Sequence, residues 1–201
     1  MVFTDKIWDK MLSIAEENNG IIKTSQVESA GISRPMLKKY TDLGRLERIR
    51  KGLYVLKGDM TDEYALLQAQ NMKAIFSYGT ALYFWGLSDR VPHILDITLP
   101  QGQNATVLRR DNPNIRCHYI QMELYELGIA ETQSPQGGRI RLYDQERCIC
   151  DLIRDKKNIE MQLYSQAIRD YFKNKPNNRK LLKYGKQFGI EEKIRTYMEV
   201  L

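Results

Sequence analysis

Several features that would indicate other classes of protein are scarce in this chain of 201 residues. It contains three cysteines (Cys117, Cys148 and Cys150) and two histidines, and none of them has the paired spacing of a zinc site or a disulfide framework. No run approaches the ~18 apolar residues that a membrane span needs, and residues 1–6 lack the apolar segment of a signal peptide. We therefore expect a cytoplasmic protein that is not membrane-bound and needs no metal or cofactor.

The composition that is present is that of a folded, basic protein. Hydrophobic residues make up 42% of the chain, which is enough for a core without disulfides. The net charge of +6 and the pI near 9.1 favour an acidic partner such as nucleic acid. Charge alone is weak evidence, because many proteins share such a balance.

The segment 24–56 has the local signals of two helices and a hairpin. Thr24 and Ser25 are predicted to cap a helix over residues 26–30, which ends at Gly31. Ser33 is predicted to cap the next helix, with Pro35 in its first turn. Gly44 ends that helix, and two strands over 46–50 and 53–56 are joined at the turn formed by residues 51–52. This order predicts a winged helix, in which the second helix enters the DNA major groove.

Basic residues lie mainly on one side of this predicted motif. Leu37, Tyr40 and Leu43 repeat at the spacing of a core-facing stripe, whereas Arg34 and Lys38 are one turn apart and project together elsewhere. Such a surface suits DNA phosphates, because neutralising them releases counterions. The alternative interpretation is a basic face exposed only to solvent. The candidate DNA-binding residues are Ser33, Arg34, Lys38, Lys39, Arg45, Arg48, Arg50 and Lys51.

A polar break at residues 58–61 suggests two domains, 1–58 and 59–201. The second region is predicted to contain helices over 63–72 and 79–85, and then strands over 93–99, 106–108, 116–120 and 139–143. After residue 144 it is helical. Strands in the middle and helices at the end predict an α+β protein, with a mixed α/β domain and a helical C-terminal third after the winged helix.

Positive charge is dense in that C-terminal third, and its residues are candidates to extend the DNA-binding surface, to bind RNA or only to face solvent. The residues concerned are Arg139, Arg141, Arg147, Arg154, Lys156, Lys157, Arg169, Lys173, Lys175, Arg179, Lys180, Lys183 and Lys186. Other polar residues are given structural roles: buried thiols for Cys148 and Cys150, structural or surface positions for His93 and His118, and capping or surface pairing for Glu146 and Asp151.

Three groups of segments resemble the AbiEi family, the antitoxin half of type IV abortive-infection toxin–antitoxin pairs. The first is GISR (31–34) running into LGRLERIRKGLYV (43–55). The second is SYGTAL (77–82) with WGLSD (85–89) and ITLP (97–100), and the third is IRLYDQERCICDLI (140–153). They follow the family's order along nearly the whole chain.

This resemblance implies a repressor of its own operon that also counteracts a toxin. Its winged helix would bind inverted repeats in double-stranded promoter DNA, and its C-terminal domain would supply the antitoxin activity. The cognate toxin would be of the nucleotidyltransferase type, and its effect would be opposed without a stable complex.

Two alternatives come from other residues. Residues 77–82 faintly resemble a nucleotidyltransferase loop, but that chemistry needs paired carboxylates to hold metal ions, and Asp96-Ile97-Thr98 offers one. We therefore predict no enzyme activity. The aromatic run Tyr83-Phe84-Trp85 beside Tyr78 is typical of a core; if exposed, it would favour an interaction module. A DNA- or RNA-binding regulator without an antitoxin role stays an alternative.

Overall fold

A computed structural model of the protein describes residues 5–174 and 176–201. Lys175 and most of the N-terminal segment assessed for a signal peptide lie outside the described residues. The chain divides into two compact units, one formed by residues 1–71 with 133–140 and the other by residues 72–132 with 141–201. Within the described residues, no helix is long and apolar enough to cross a membrane.

The first unit is a winged helix followed by one further helix, which confirms the predicted fold class. Its three strands form an antiparallel sheet in the order β1-β3-β2. Its elements are α1 (Lys6–Glu16), β1 (Ile21–Lys23), α2 (Thr24–Ser29), α3 (Arg34–Asp42), β2 (Leu46–Arg50), β3 (Leu53–Leu56) and α4 (Glu63–Gln70).

The two faces of this small sheet bury different clusters. Tyr54 and Leu56 of β3 pack against the core of the three N-terminal helices, which includes the fully buried Met11 and Tyr40. Val55 points to the opposite side, where it packs with Ile21 and Leu53 and contacts α4 residues. This alternation follows from the period of two along a strand, and it explains why the unit extends beyond residue 58.

The start of α2 differs from the sequence prediction. The helix begins at Thr24 itself, and Lys23 is its N-terminal cap. The Gln26 side chain accepts a hydrogen bond from the Lys23 N–H (2.9 Å), and the Thr24 N–H donates to the Gly52 carbonyl at 3.0 Å. The hydroxyls of Thr24 and Ser25 are therefore not needed as caps. Gln26 and the turn of the wing, which is the β2–β3 hairpin (residues 46–56), accept hydrogen bonds from the N–H groups of Lys23 and Thr24.

The second unit contains a mixed sheet and the helical C-terminal third. The strand order is β6-β5-β4-β8-β7, with β4 antiparallel to β5 and parallel to β8. Its elements are β4 (Ile75–Phe76), α5 (Tyr78–Phe84), β5 (Leu95–Pro100), α6 (Thr106–Asp111), β6 (Ile115–Ile120), α7 (Met122–Tyr125), β7 (Ile129–Gln133), β8 (Arg139–Tyr143), α8 (Gln145–Arg154), a 3-10 turn (Lys156–Asn158), α9 (Met161–Lys173), α10 (Asn178–Gln187) and α11 (Glu191–Val200).

Two predictions in this region were wrong. The expected strand at 106–108 is helix α6, whose first turn is fixed by the Asn104 side chain accepting from the Thr106 N–H at 2.8 Å. Strand β7 was missed, because its sequence IAETQ lacks a strong alternation of apolar and polar residues. It lies at the edge of the sheet beside β8, which is the next strand along the chain.

Candidate nucleic-acid interface

Helix α3 separates buried from exposed side chains as its sequence predicts. Leu37 and Tyr40 are buried (1% and 0% exposed), while Arg34, Lys38 and Lys39 are exposed. The prediction that Leu43 joins the core was wrong, since it is 58% exposed. The helix ends at Asp42, which leaves Leu43 at the cap just before Gly44 turns the chain with φ +69°.

Ser33 and Pro35 set the direction in which α3 begins. Ser33 is at the N-cap with an extended backbone, and Pro35 lies in the first turn, as predicted. The Ser33 side chain makes no capping hydrogen bond to the helix. Its exposed hydroxyl lies at a helix N-terminus, which is a favourable position for contacting a phosphate group.

Arg34 is held by an acidic partner on the preceding helix. Its guanidinium donates to both carboxylate oxygens of Glu28, at 2.5 and 3.1 Å. Both side chains are largely exposed (71% and 41%). The pair lowers the pKa of Glu28, chiefly through the hydrogen bond from Arg34. A DNA phosphate would have to compete with this carboxylate for Arg34.

Lys38 and Lys39 are the cations of α3 that have no ion pair among the described residues. Both are exposed. The ammonium group of Lys39 lies 6.0 Å from the centre of the Tyr40 ring, at the outer limit of a cation–π contact. These two lysines can therefore approach a phosphate without first breaking a salt bridge.

The wing presents two more exposed cations. Arg48 and Lys51 are exposed, and Gly52 takes a φ of +82° to close the turn. The register of β2 shifts between Arg48 and Arg50, opposite Tyr54 and Leu53. Such a bulge increases the local twist and redirects the side chains. Arg48 Nε makes a long contact of 3.4 Å with the Arg50 carbonyl.

Arg45 and Arg50, two of the predicted DNA-contacting residues, make contacts within the first unit. The Arg45 guanidinium lies 5.1 Å from the Trp8 ring centre and 3.8 Å from the carboxylate of Asp5. Arg50 is half-buried and donates to the Gln70 carbonyl at the end of α4, where the helix dipole favours a cation. No local sequence pattern indicates these partners.

A hydrogen bond between Asp5 and Tyr40 supports the Arg45 position. The Tyr40 hydroxyl donates to Asp5 Oδ2 at 2.7 Å. This bond is the largest contribution to the lowered pKa of Asp5. Burial, followed by the hydrogen bond to Asp5, raises the pKa of Tyr40 to about 12. Asp5 stays ionised and Tyr40 stays neutral at neutral pH, so the cluster keeps an anion beside Arg45.

In the second unit, some residues of the predicted basic surface are buried or already paired with carboxylates. Arg147 is fully buried; its Nε donates to Asp151 at 2.9 Å, and its guanidinium lies 4.0 Å from the Tyr143 ring centre. Lys180 lies 3.0 Å from both Asp144 and Glu146. Arg147 cannot contact nucleic acid, and Lys180 is neutralised by its two partners.

The predicted surface roles of Glu146 and Asp151 were also wrong. Glu146 and Asp151 are 8% and 1% exposed. Glu146 accepts from the Tyr171 hydroxyl at 3.3 Å, and Asp151 is paired with Arg147. Burial raises the pKa of Asp151, although the neighbouring arginines oppose that shift. The cap of α8 is instead Asp144, which accepts from the Arg147 N–H. The prediction that Cys148 and Cys150 are buried is confirmed, with both fully buried.

The loop considered for nucleotidyl transfer lies beside a buried carboxylate. Asp96 is 7% exposed and lies 2.8 Å from His118 Nε2, and Tyr78 stacks on the His118 ring at 4.1 Å. Thr98, at the position where a second carboxylate is needed, donates to the Ser77 hydroxyl at 2.9 Å. His118 thus has an acidic partner that sequence spacing did not indicate. Of the described residues, no group of three or more His, Cys, Asp or Glu could hold a metal ion.

The aromatic run Tyr83-Phe84-Trp85 packs within the second unit and is not fully exposed. Tyr78 is buried at 4% exposure, and Tyr83, Phe84 and Trp85 are half-buried. Trp85 Nε1 donates to the Tyr143 carbonyl at 2.7 Å. This packing supports the interpretation of the run as core and weakens the interaction-module alternative.

The first unit, with a buried helix face and exposed cations on α3 and the wing, has the features of a winged-helix regulator. Comparison with known proteins agrees, because residues 9–57 match the model of a family described as transcriptional regulator, AbiEi antitoxin. The match confirms the predicted family resemblance for that part of the chain. It covers fewer than half of the 201 residues and lies within the first unit.

The wider fold also has a solved relative. The crystal structure of the RV2827C protein from Mycobacterium tuberculosis is similar, with a TM-score of 0.59 over 89% of this chain and 71% of that chain. The sequence identity is 14%, so this likeness shows the fold alone. No curated protein sequence matches the chain.

Proposed function

We propose that this chain is the antitoxin of a type IV toxin–antitoxin pair and represses its own operon. Residues 1–58 would bind inverted repeats in double-stranded promoter DNA, and residues 59–201 would provide the antitoxin activity. The functional partner would be a nucleotidyltransferase-type toxin, opposed without a stable complex in the cytoplasm. The observation that supports DNA binding best is the set of cations without acidic partners on α3 and the wing, inside the segment that matches a regulator family.

The contacts within the first unit divide the candidate DNA-binding residues into two groups. Lys38, Lys39, Arg48 and Lys51, which we call the free cations, have no ion pair among the described residues. They are proposed to contact phosphate directly. Arg34, Arg45 and Arg50, which we call the held arginines, already have partners within the unit. They are proposed to contribute chiefly by fixing α2, α1 and α4 around the interface.

The proposed antitoxin and repressor roles can be tested as separate activities in one cell. Toxin and antitoxin are expressed from unrelated promoters while a reporter is driven by the native promoter. Wild type should restore growth and silence the reporter. The Lys38→Gln/Lys51→Gln variant should restore growth but leave the reporter active, because it removes phosphate contacts without touching the second unit.

A matched control comes from α1. Lys6 and Lys10 are exposed and lie outside the predicted interface, so the Lys6→Gln/Lys10→Gln variant removes the same charge. It should repress and rescue as wild type does. Equal loss of repression in both variants would show that only the overall charge of the unit matters.

A DNA-binding regulator without an antitoxin role is the second candidate. It is favoured by one observation, which is that the family match is confined to residues 9–57. The two candidates differ in one result of the same assay. Reporter silencing by wild type without any rescue of growth would select the regulator alone.

We also propose that the chain is not an enzyme. Asp96 is engaged by His118 at 2.8 Å, and Thr98 cannot supply the charge of a second carboxylate for magnesium. Purified protein incubated with magnesium, labelled nucleoside triphosphates and total RNA should give no labelled product. Labelling that is lost in the Asp96→Asn variant would overturn this proposal.

A further inference from the structure

A cavity in the second unit lies where the 3-10 turn after α8 meets α9 and α11. Its volume is about 660 Å³, which is within the usual range for pockets that hold a small organic ligand. Apolar and aromatic side chains from three elements form part of its lining. They are Ile153, Tyr164, Tyr197 and Val200.

The same cavity is lined by positive charge. Arg154, Lys156, Lys157 and Lys193 line it, and Asp155 is the acid among them. The Asp155 carboxylate accepts from the Asn158 side chain, so it is occupied in shaping the turn. Such a ring of cations favours an anionic ligand.

Three of these cations form no ion pair among the described residues, and one of the three, Lys156, lies over the Tyr164 ring. Lys157 and Lys193 are exposed and form no ion pair within residues 5–174 and 176–201. Arg154 differs, because it lies 3.2 Å from both Asp151 and the Tyr78 hydroxyl. Lys157 and Lys193 are therefore the groups that can neutralise a bound phosphate.

The aromatic wall is fixed in place by its own contacts. The Tyr164 and Tyr197 hydroxyls are 2.7 Å apart, and Tyr197 is stacked with Phe172. The Lys156 ammonium lies 5.0 Å from the Tyr164 ring centre. Burial raises the pKa of Tyr164, so its hydroxyl stays neutral and can hydrogen-bond to a ligand.

We propose that this cavity binds a nucleotide, with the base against the Tyr164 and Tyr197 side and the phosphate at Lys157 and Lys193. Aromatic side chains beside a positively charged groove are the usual means of binding single-stranded nucleic acid without sequence preference. The ligand chemistry is shared by a free nucleoside phosphate and by one nucleotide of an RNA strand. This inference deepens the antitoxin role proposed for residues 59–201, since it names the ligand class of that region.

The direct test uses the full chain and a fluorescein-labelled single-stranded RNA dodecamer of mixed sequence, followed by fluorescence anisotropy. Each single-strand phosphate contact adds about 0.7 to the slope of log affinity against log salt concentration. If each lysine makes one such contact and the affinity at 1 M salt is unchanged, Lys157→Gln/Lys193→Gln should weaken binding by about 25-fold at 0.1 M salt. The matched control is Lys173→Gln/Lys183→Gln, which removes two exposed lysines of the same unit that do not line the cavity. It should leave the affinity within about twofold of wild type.

A second variant tests the cavity without changing its charge. Thr196 is exposed and lines the cavity, so Thr196→Trp should block it and weaken binding by about tenfold or more, as expected for losing a stacked base. Unlabelled ATP and AMP are the competing arms. Displacement of the RNA by either assigns the cavity to free nucleotides, and displacement only by unlabelled RNA assigns it to a strand.

The outcomes separate this inference from the proposed function. Equal weakening by cavity and control lysines, unchanged affinity in both cavity variants, or a wild-type protein that binds none of RNA, ATP and AMP would overturn the cavity proposal. Thermal melting and promoter-duplex binding of each variant verify that it is folded. If the wild-type protein does not rescue growth from the toxin, the antitoxin role is refuted, whatever the RNA result.

Discussion

Neutralising Lys38 on α3 and Lys51 on the wing is predicted to lower promoter affinity in a salt-dependent way. Both side chains are exposed and have no ion pair among the described residues, so each would release counterions on meeting a phosphate. In B-DNA each such contact adds about 0.9 to the slope of log affinity against log salt concentration. The Lys38→Gln/Lys51→Gln variant should therefore lose about 1.8 in slope for each protomer bound.

The same estimate gives the affinity at a working salt concentration. If the affinity at 1 M salt is unchanged, the loss at 0.1 M is about 60-fold for each protomer bound. The assay is fluorescence anisotropy of a labelled promoter duplex across a salt series, with Lys6→Gln/Lys10→Gln as the charge-matched control. An unaltered slope in the Lys38/Lys51 variant, or an equal loss in the control, would refute the assignment of phosphate contacts to α3 and the wing.

Three further predictions concern stability. Gly138→Ala should lower the free energy of unfolding by about 1–3 kcal/mol, because a Cβ there would lie 2.0 Å from Asp62 Oδ2. Arg147→Leu should cost about 3–5 kcal/mol, since it removes the fully buried partner of Asp151 and leaves this buried carboxylate with only Arg154 as an ion pair, and Arg147→Leu/Asp151→Leu should recover part of that loss. The pKa of Tyr40 is raised to about 12. The contribution of neutral Tyr40 to the free energy of unfolding is therefore complete below pH 10 and is lost as pH rises towards 12. Tyr40→Phe should flatten that decline in stability.

Urea denaturation measures all three, with Gln136→Ala as the control for the glycine variant because Gln136 is exposed on the same turn. Wild-type stability in Gly138→Ala would contradict the close approach to Asp62. A double variant no more stable than Arg147→Leu would show that the buried carboxylate of Asp151 is not the source of the loss. An equally steep decline in Tyr40→Phe above pH 10 would assign that decline to other tyrosines.

The winged helix was predictable because its signals are local. Pro35 and Gly44 mark the ends of α3, and Leu37 and Tyr40 mark its buried face, all within one short stretch of chain. The turn at Gly52 is equally local. Leu43 was misassigned because a three-residue spacing continues in the sequence beyond the point where the helix ends.

The rest of the fold depends on contacts between distant residues. The Ser134 hydroxyl donates to Asp62 Oδ2 at 2.5 Å, and the Gly138 N–H donates to that same Ser134 oxygen at 3.0 Å. This hydrogen bonding helps make residues 133–140 part of the first unit, and no sequence spacing indicates it. The division of DNA binding and antitoxin activity at residues 58 and 59 stays a prediction.

The candidate interface was predictable in composition but not in the role of each residue. A basic stretch indicates affinity for nucleic acid, whereas a salt bridge depends on which acid the fold brings close. Glu28 beside Arg34 and the Gln70 carbonyl beside Arg50 come from elements that pack only in the folded unit. Likewise, Arg147 has the same charge as its exposed neighbours, and only the structure shows that it is buried.

The most direct test of the proposed function is a footprint of the full-length protein on the DNA upstream of its own operon. Wild type and the Lys6→Gln/Lys10→Gln control should protect inverted repeats. The Lys38→Gln/Lys51→Gln variant should give no protection at the same protein concentration. An unprotected upstream region with wild-type protein, or equal protection by all three proteins, would contradict the proposed DNA-binding role.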